Sequence, residues 1–340
     1  MGKEQLSFED VQQMGLGFQA SKTLLSAIEF GIFTQLAEGG ADTATLANRV
    51  GIHHRGAADF FDTLVALGLL RRVDGVYHNT DVAATYLVRS SPSYPYLGSL
   101  LEMANSRLYD IWGDLSEALR TGLPQNEIKS SELPKYEAIY EDRERLKQFL
   151  ASMTGVSHAA NVEIARQYPW EEHSTFVDLG TAQGDLAVQV ALRHPHLTGI
   201  GLDLPVVEPV FEEYVKKNRV DGRLRFAPAD FFVDDFPAAD AFIFGHILHN
   251  WDLAQKKLLL HKAWTALPPG GAVIVYESVI DDARSENVFG LLMSLNMLTA
   301  TEGGFNFTAA DCKDWMSEVG FSRTRAVHLT GPDSMVIGVK

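Results

Sequence analysis

Cysteine is nearly absent: Cys312 is the only one in 340 residues. That excludes an intrachain disulfide and a cysteine-rich metal site, and no metal is expected. A reducing cytoplasm is the expected setting. Positive charge is scarce as well, with 29 Lys and Arg against 44 Asp and Glu and a net charge of -15. Such a balance favours solubility and works against a broad phosphate-binding surface. Neither nucleic acid nor a membrane is therefore an expected partner. No apolar run reaches the roughly 20 residues of a membrane span. The N-terminus "MGKEQLSFEDVQQMG" lacks a basic-then-apolar signal pattern, and Leu6 breaks the myristoylation pattern that Met-Gly begins. There is no internal repeat.

What remains is ample material for packed cores, 46% of residues being apolar. The length suits one large domain or two ordinary ones. Residues 8–37 show helix-like apolar spacing. Two further helical stretches and a short hairpin through "RRVDGVYHNT" follow, with Asp74-Gly75 as the turn dipeptide. Two helices and a β wing make a winged helix-turn-helix pattern. Residues 94–121 and 134–168 also read as helix.

Near Pro169 the character changes. "TFVDLG" (175–180), "TGIGLD" (198–203), "RLRFAPAD" (223–230), "DAFIFGHI" (240–247) and "AVIVYESVI" (272–280) are short apolar runs. Helical stretches at 184–194, 205–218 and 253–266 separate them. This alternation predicts a parallel sheet with helices on both faces. The runs 323–329 and 334–340, joined by "TGPD", predict a closing antiparallel pair. Three regions are expected: a helical winged-helix domain over 1–105, a helical linker over 106–168, and the α/β domain over 169–340.

Ligands of an open α/β sheet bind beyond the carboxyl ends of its strands. Those ends carry Asp178-Leu179-Gly180-Thr181-Ala182-Gln183-Gly184, Asp203, Asp230-Phe231, "HILHNWD" (His246 to Asp252) and Glu277. The loop has G-x-x-x-G spacing, not the G-x-G-x-x-G of dinucleotide enzymes, and Asp185 follows it. A carboxylate there repels a pyrophosphate, which disfavours a nicotinamide dehydrogenase. A phosphate-free cofactor with a positive centre fits better, and S-adenosylmethionine is one. Asp203 suits its ribose hydroxyls; Asp230 and Phe231 suit its adenine. Asp252 and Gln255 have the spacing of a capping box, and Trp251 reads as packing.

The segments "FVDLGTAQGDLA", "GIGLDLPVV", "RFAPADFF", "HILHNWD", "LPPGGAVIVYES" and "FGLLMSLNMLTATEGG" resemble the S-adenosylmethionine-dependent O-methyltransferases of the plant caffeic acid and bacterial antibiotic-tailoring type. The resemblance covers nearly the whole chain. It implies a class I methyltransferase fold, a Rossmann-like sheet of seven strands, behind a winged-helix domain that serves homodimerisation. It places the cofactor, and its product S-adenosylhomocysteine, against Asp178, Gly180, Gln183, Gly184, Asp203 and Leu204. Asp230, Phe231, Gly245 and His246 complete that set. It makes His249 the general base toward a hydroxyl of a small aromatic or polyketide-like molecule. Glu277, at the next strand end, is the candidate partner for the imidazole.

The helix bearing Phe149 and Met153 resembles the family's substrate-lining helix. Phe289, Met293, Asn296 and Met297, at i, i+4, i+7 and i+8, form a second candidate lining, although such a stripe is more often plain core. Four positions depart from the pattern. Thr181 and Ala182 stand where the family loop holds more glycine, Asn250 where an acidic residue follows the base, and Asn306 where a second glutamate is usual. N- or S-methylation, or non-methylating use of the same cofactor, stay open alternatives. A DNA-binding regulator is another, opposed by the acidity and by Arg55 as the only firm cation in "HHRGAADFFDTLVALG".

Overall fold

A computed structural model describes residues 6–91, 94–126 and 143–340. The chain divides into two compact units, Met1–Tyr109 and Asp110–Lys340.

In the first unit the apolar spacing over 8–37 is realised as two helices, Phe8–Glu29 and Ile32–Ala37. Ser7 and Asp10 form a reciprocal capping box that starts the first. Gly31, at φ 66°, provides the left-handed break between them. The Asp42 side chain caps Thr43–Val50, which ends at left-handed Gly51, and His54–Ala66 completes the helix pair. Strands β1 (Ala41–Asp42), β2 (Leu70–Val73) and β3 (Val76–Asn79) form an antiparallel sheet in the order β1-β3-β2. Asp74 and Gly75 both have positive φ, 49° and 78°, as a type I′ hairpin requires. The winged-helix expectation is met. Ile28, Phe33, Leu46, Phe61, Leu64 and Tyr77 pack its core.

The second unit is built on β4 (Thr175–Leu179), β5 (Thr198–Asp203), β6 (Leu224–Pro228), β7 (Ala241–Gly245), β8 (Ala272–Glu277), β9 (Arg323–Thr330) and β10 (Asp333–Val339). Their order is β6-β5-β4-β7-β8-β10-β9, with β10 antiparallel to both neighbours. Alternate residues on each strand face opposite layers. Val177, Phe242, Val273 and Val275 pack on Leu259, Leu260 and Met316. Phe176, Ile243 and Ile274 pack on Ile164, Leu186 and Val190. Burial on both faces is why these strands read as continuous apolar runs. The helix Arg143–Gln167 occupies part of the stretch expected at 134–168, of which 134–142 lies outside the described residues.

Sequential order reverses between β4 and β7, so the crevice at the switch point opens beyond Leu179 and Gly245. No helix among the described residues is long and apolar enough to cross a membrane.

Candidate active site

The loop after β4 is held from the neighbouring strand. Asp203, the last residue of β5, accepts the Ala182 N–H at 2.9 Å and the Leu204 N–H at 2.8 Å. Asp178 accepts the Thr181 hydroxyl at 2.7 Å. Ala182 is left-handed at φ 52°, between Gly180 at 69° and Gly184 at 91°. A Cβ on Gly180 would lie 2.2 Å from Ile247 and 3.5 Å from Phe231, so the loop touches the strand ends on both sides of it. Gln183 reaches across to the Thr154 hydroxyl at 2.6 Å.

Both acids are buried, and among their recorded contacts neither has a cationic side chain. Burial therefore raises Asp178 to about 7, with Asp203 and Asp185 adding repulsion. Burial likewise raises Asp203 to about 6, against the two N–H donors that favour its charge. Uncompensated negative charge here suits a cofactor with a positive centre. Asp230 is exposed, and its carboxylate accepts the Phe232 N–H at 2.8 Å. Gly245 has a packing reason for lacking a side chain, since a Cβ would strike the Tyr276 ring at 2.3 Å.

Asp185 belongs to a network that the sequence did not reveal. His158 Nδ1 lies 3.0 Å from its carboxylate, Asn161 and Tyr214 donate to it at 2.8 Å, and Gln189 at 3.2 Å. Asn161 in turn accepts from Tyr276 at 2.7 Å. Burial opposes the charge, but these donors and His158 hold Asp185 below its ordinary range. Apart from Gln189, one turn along the same helix, the partners come from other helices and β8, so no local spacing announces them.

Glu277 ends β8 and is 1% exposed. Its Oε2 lies 3.0 Å from His249 Nδ1 and 3.3 Å from His246 Nδ1, and its Oε1 accepts the His249 N–H at 3.2 Å. Burial pushes Glu277 up, yet the two imidazoles outweigh it and hold the group at about 2. Burial disfavours a charged His246, but Glu277 and Asp333 prevail and raise it. His246 sits at φ 53° and meets the Tyr276 ring edge-on at 5.0 Å. Its side chain thus meets a carboxylate. His249 is placed by the one-turn 3-10 segment Leu248–Asn250.

Asn250 donates to the carbonyls of His246 at 3.0 Å and Ile247 at 3.3 Å, bracing that turn. Asn306 is buried and donates to the Ser278 carbonyl at 3.1 Å. Asp252 and Gln255 form the expected capping box, and Trp251 packs edge-on against Phe232. Lys256, missed by sequence reading, is fully buried; its ammonium donates to the Trp251 carbonyl and lies 3.4 Å from the centre of the Phe305 ring. Burial lowers it to about 8.

The candidate acceptor-lining residues lie on two helices, Arg143–Gln167 and Val288–Ala300. Phe149 packs against the cluster of Leu146, Leu150, Val207 and Val210, on which Ala182 of the glycine loop also packs. Met153 is half-buried. On the helix Val288–Ala300, Met297 is buried and Met293 half-buried. Asn296 accepts from Trp112 Nε1 at 3.0 Å. Phe289 is exposed and borders a groove of about 930 Å³ with Ile280, Asp281 and Pro332.

Residues 112–322 match the family model of the O-methyltransferase domain, and residues 12–89 that of the O-methyltransferase dimerisation domain. The chain belongs to the O-methyltransferase family. The tetracenomycin polyketide synthesis 8-O-methyl transferase TcmO of Streptomyces glaucescens is 41% identical over 332 residues, 97% of this chain and 96% of that one. The N,N-dimethyltransferase OxyT of Streptomyces rimosus is 34% identical over 330 residues, 96% and 95% of the two chains. The crystal structure of human N-acetylserotonin methyltransferase in complex with SAM has a TM-score of 0.90 at 27% identity, covering 100% of this chain and 99% of that one.

An O-methyltransferase of this family takes its methyl group from S-adenosylmethionine. The buried, uncompensated acids of the β4 and β5 ends fit that cation. The winged-helix unit belongs to the dimerisation domain of an O-methyltransferase, which leaves the regulator reading without support.

Proposed function

We propose that the protein methylates a hydroxyl of a small aromatic, polyketide-like molecule, with His249 as the general base. The carrying observation is Glu277, a buried carboxylate held ionised 3.0 Å from His249 Nδ1. S-adenosylmethionine supplies the electrophilic methyl group when bound. A phenol has a pKa of about 10, so removing its proton near neutrality needs a positioned base. His249 takes that proton at Nε2. Glu277 then faces the imidazolium at Nδ1 and stabilises it. Water exclusion around this pair strengthens that attraction.

The cofactor is assigned to the crevice lined by Asp178, Gly180, Gln183, Gly184, Asp203 and Leu204. Phe231 and Asp230 stand at the adenine end, with Gly245 and His246 on the far side. Phe149, Met153, Met293, Asn296 and Met297 are assigned to the acceptor, with Phe289 at its rim. The relative TcmO, named for 8-O-methylation in tetracenomycin polyketide synthesis, supports this acceptor class. The homodimer is assigned to the first unit, where Phe8, Val11, Met14 and Phe18 stand exposed on the helix Phe8–Glu29. A cytoplasmic setting accords with Cys312, free and buried.

The test is a panel of polyphenolic acceptors incubated with the protein and S-adenosylmethionine, read as S-adenosylhomocysteine release. The expected result is turnover of hydroxylated aromatics that His249→Ala abolishes while calorimetric cofactor affinity is kept. Turnover confined to amines, or a variant that loses cofactor as well, sinks the assignment.

A further inference from the structure

His246, His249 and Glu277 converge more tightly than a base and its orienting carboxylate require. One nitrogen from each ring and one Glu277 oxygen all lie within 4.8 Å of one another. Both Nδ1 atoms approach the same Oε2, at 3.0 and 3.3 Å. Yet His249 Nδ1 and Glu277 Oε2 are sealed from solvent and neither has an aligned hydrogen bond. The side chains are 9% and 1% exposed. Atoms that are close without being aimed at one another face the space between them, as ligands around a shared centre do. Two imidazoles and a carboxylate are also a donor set that zinc-class cations accept, with bonds of about 2.0–2.2 Å.

We propose that His246, His249 and Glu277 bind a zinc-class divalent cation, and that the bound cation blocks methyl transfer. The block follows from ring chemistry. A metal on Nδ1 of His249 occupies that nitrogen's lone pair, so the neutral ring carries its proton on Nε2. Nε2 then has no lone pair for an acceptor's proton. The same cation draws Glu277 away from its role beside the imidazole. His246 takes no part in the proton transfer, and its left-handed backbone at φ 53° brings its ring to the cluster. Asp333 adds negative charge toward His246, and Lys256 adds positive charge toward Glu277. These two influences oppose each other at the site.

Binding stands on the three side chains alone, while the block rests on His249 as the base. Chelator-washed protein titrated with zinc chloride in a calorimeter is expected to show a site that His246→Asn weakens at least tenfold. Asparagine tolerates left-handed backbone, which protects the fold; circular dichroism verifies it. Glu277→Gln is expected to weaken zinc at least as much. Cobalt chloride in place of zinc is expected to give visible absorption that both variants lose. In the unsubstituted enzyme, zinc is expected to stop transfer over its binding range and EDTA to restore it. Equal zinc affinity in both folded variants overturns the site. Zinc that binds the cluster without slowing transfer overturns the block. If His249→Ala leaves transfer intact, the base assignment fails separately, and calorimetry still decides the site.

Discussion

Asp203 accepts the Ala182 N–H at 2.9 Å, so the carboxyl end of one strand fixes the loop that follows its neighbour. The same carboxylate accepts the Leu204 N–H. Asp203→Ala removes both bonds together with the proposed ribose contact. Cofactor affinity is expected to fall at least tenfold, or about 1.4 kcal/mol. Isothermal titration with S-adenosylhomocysteine checks this, and an unchanged Kd rules the ribose assignment out.

The raised acids give cofactor binding a pH dependence with a definite sign. Asp203 at about 6 and Asp178 at about 7 are partly protonated in the free protein near pH 6. A bound sulfonium favours their charged forms, so binding releases protons. Affinity for S-adenosylmethionine should rise from pH 5 to pH 8 and then level off. S-adenosylhomocysteine, lacking the positive sulfur, should gain less. Parallel curves for the two ligands contradict this.

Asp178 also bears on ligand-free stability. Its native pKa exceeds the unfolded value, so its contribution is present below about pH 4 and is lost as pH rises through about 7. Asp178→Asn keeps an acceptor for the Thr181 hydroxyl and removes the buried charge. The variant should be more stable than the parent at pH 8 by on the order of 2–4 kcal/mol, with the gap closing toward pH 4. Thermal unfolding of both proteins across that range is the measurement.

Asp185→Ala strands a ring nitrogen, two amides and a phenol that now share one carboxylate. Breaking such a buried cluster from one side costs roughly 3–5 kcal/mol. Urea unfolding should show the midpoint falling accordingly. A loss under 1 kcal/mol would mean the four donors find other partners.

Glu277→Gln tests the partner of the base. The expected outcome is a fall in kcat of about 10²–10⁴, with cofactor affinity kept. An intact rate removes Glu277 from the mechanism.

The sheet was legible because both its faces are buried, which prints strands such as "AFIFG" as unbroken apolar runs. The Asp74-Gly75 turn and the Asp252/Gln255 cap were legible because they are local. The break at Gly31 was not, since the apolar spacing continues through it and only the positive φ betrays it. Strand-end acids could be read from position, but the bond from the Ala182 N–H to Asp203 could not. The Asp185 network and buried Lys256 could not, because each depends on partners far away in sequence or on burial that a charged residue conceals. His246 meeting Glu277 follows from a backbone conformation that no side-chain pattern encodes.

Asn250 donates to the carbonyls of His246 and Ile247, and a carboxylate at that position has no hydrogen to give. An aspartate would face two carbonyl oxygens instead. Restoring an acidic residue there therefore requires the 246–250 turn to change as well, including the backbone that holds His246. A change at 250 is therefore coupled to the backbone at 246, and the departure at Asn250 is entrenched by the turn it braces.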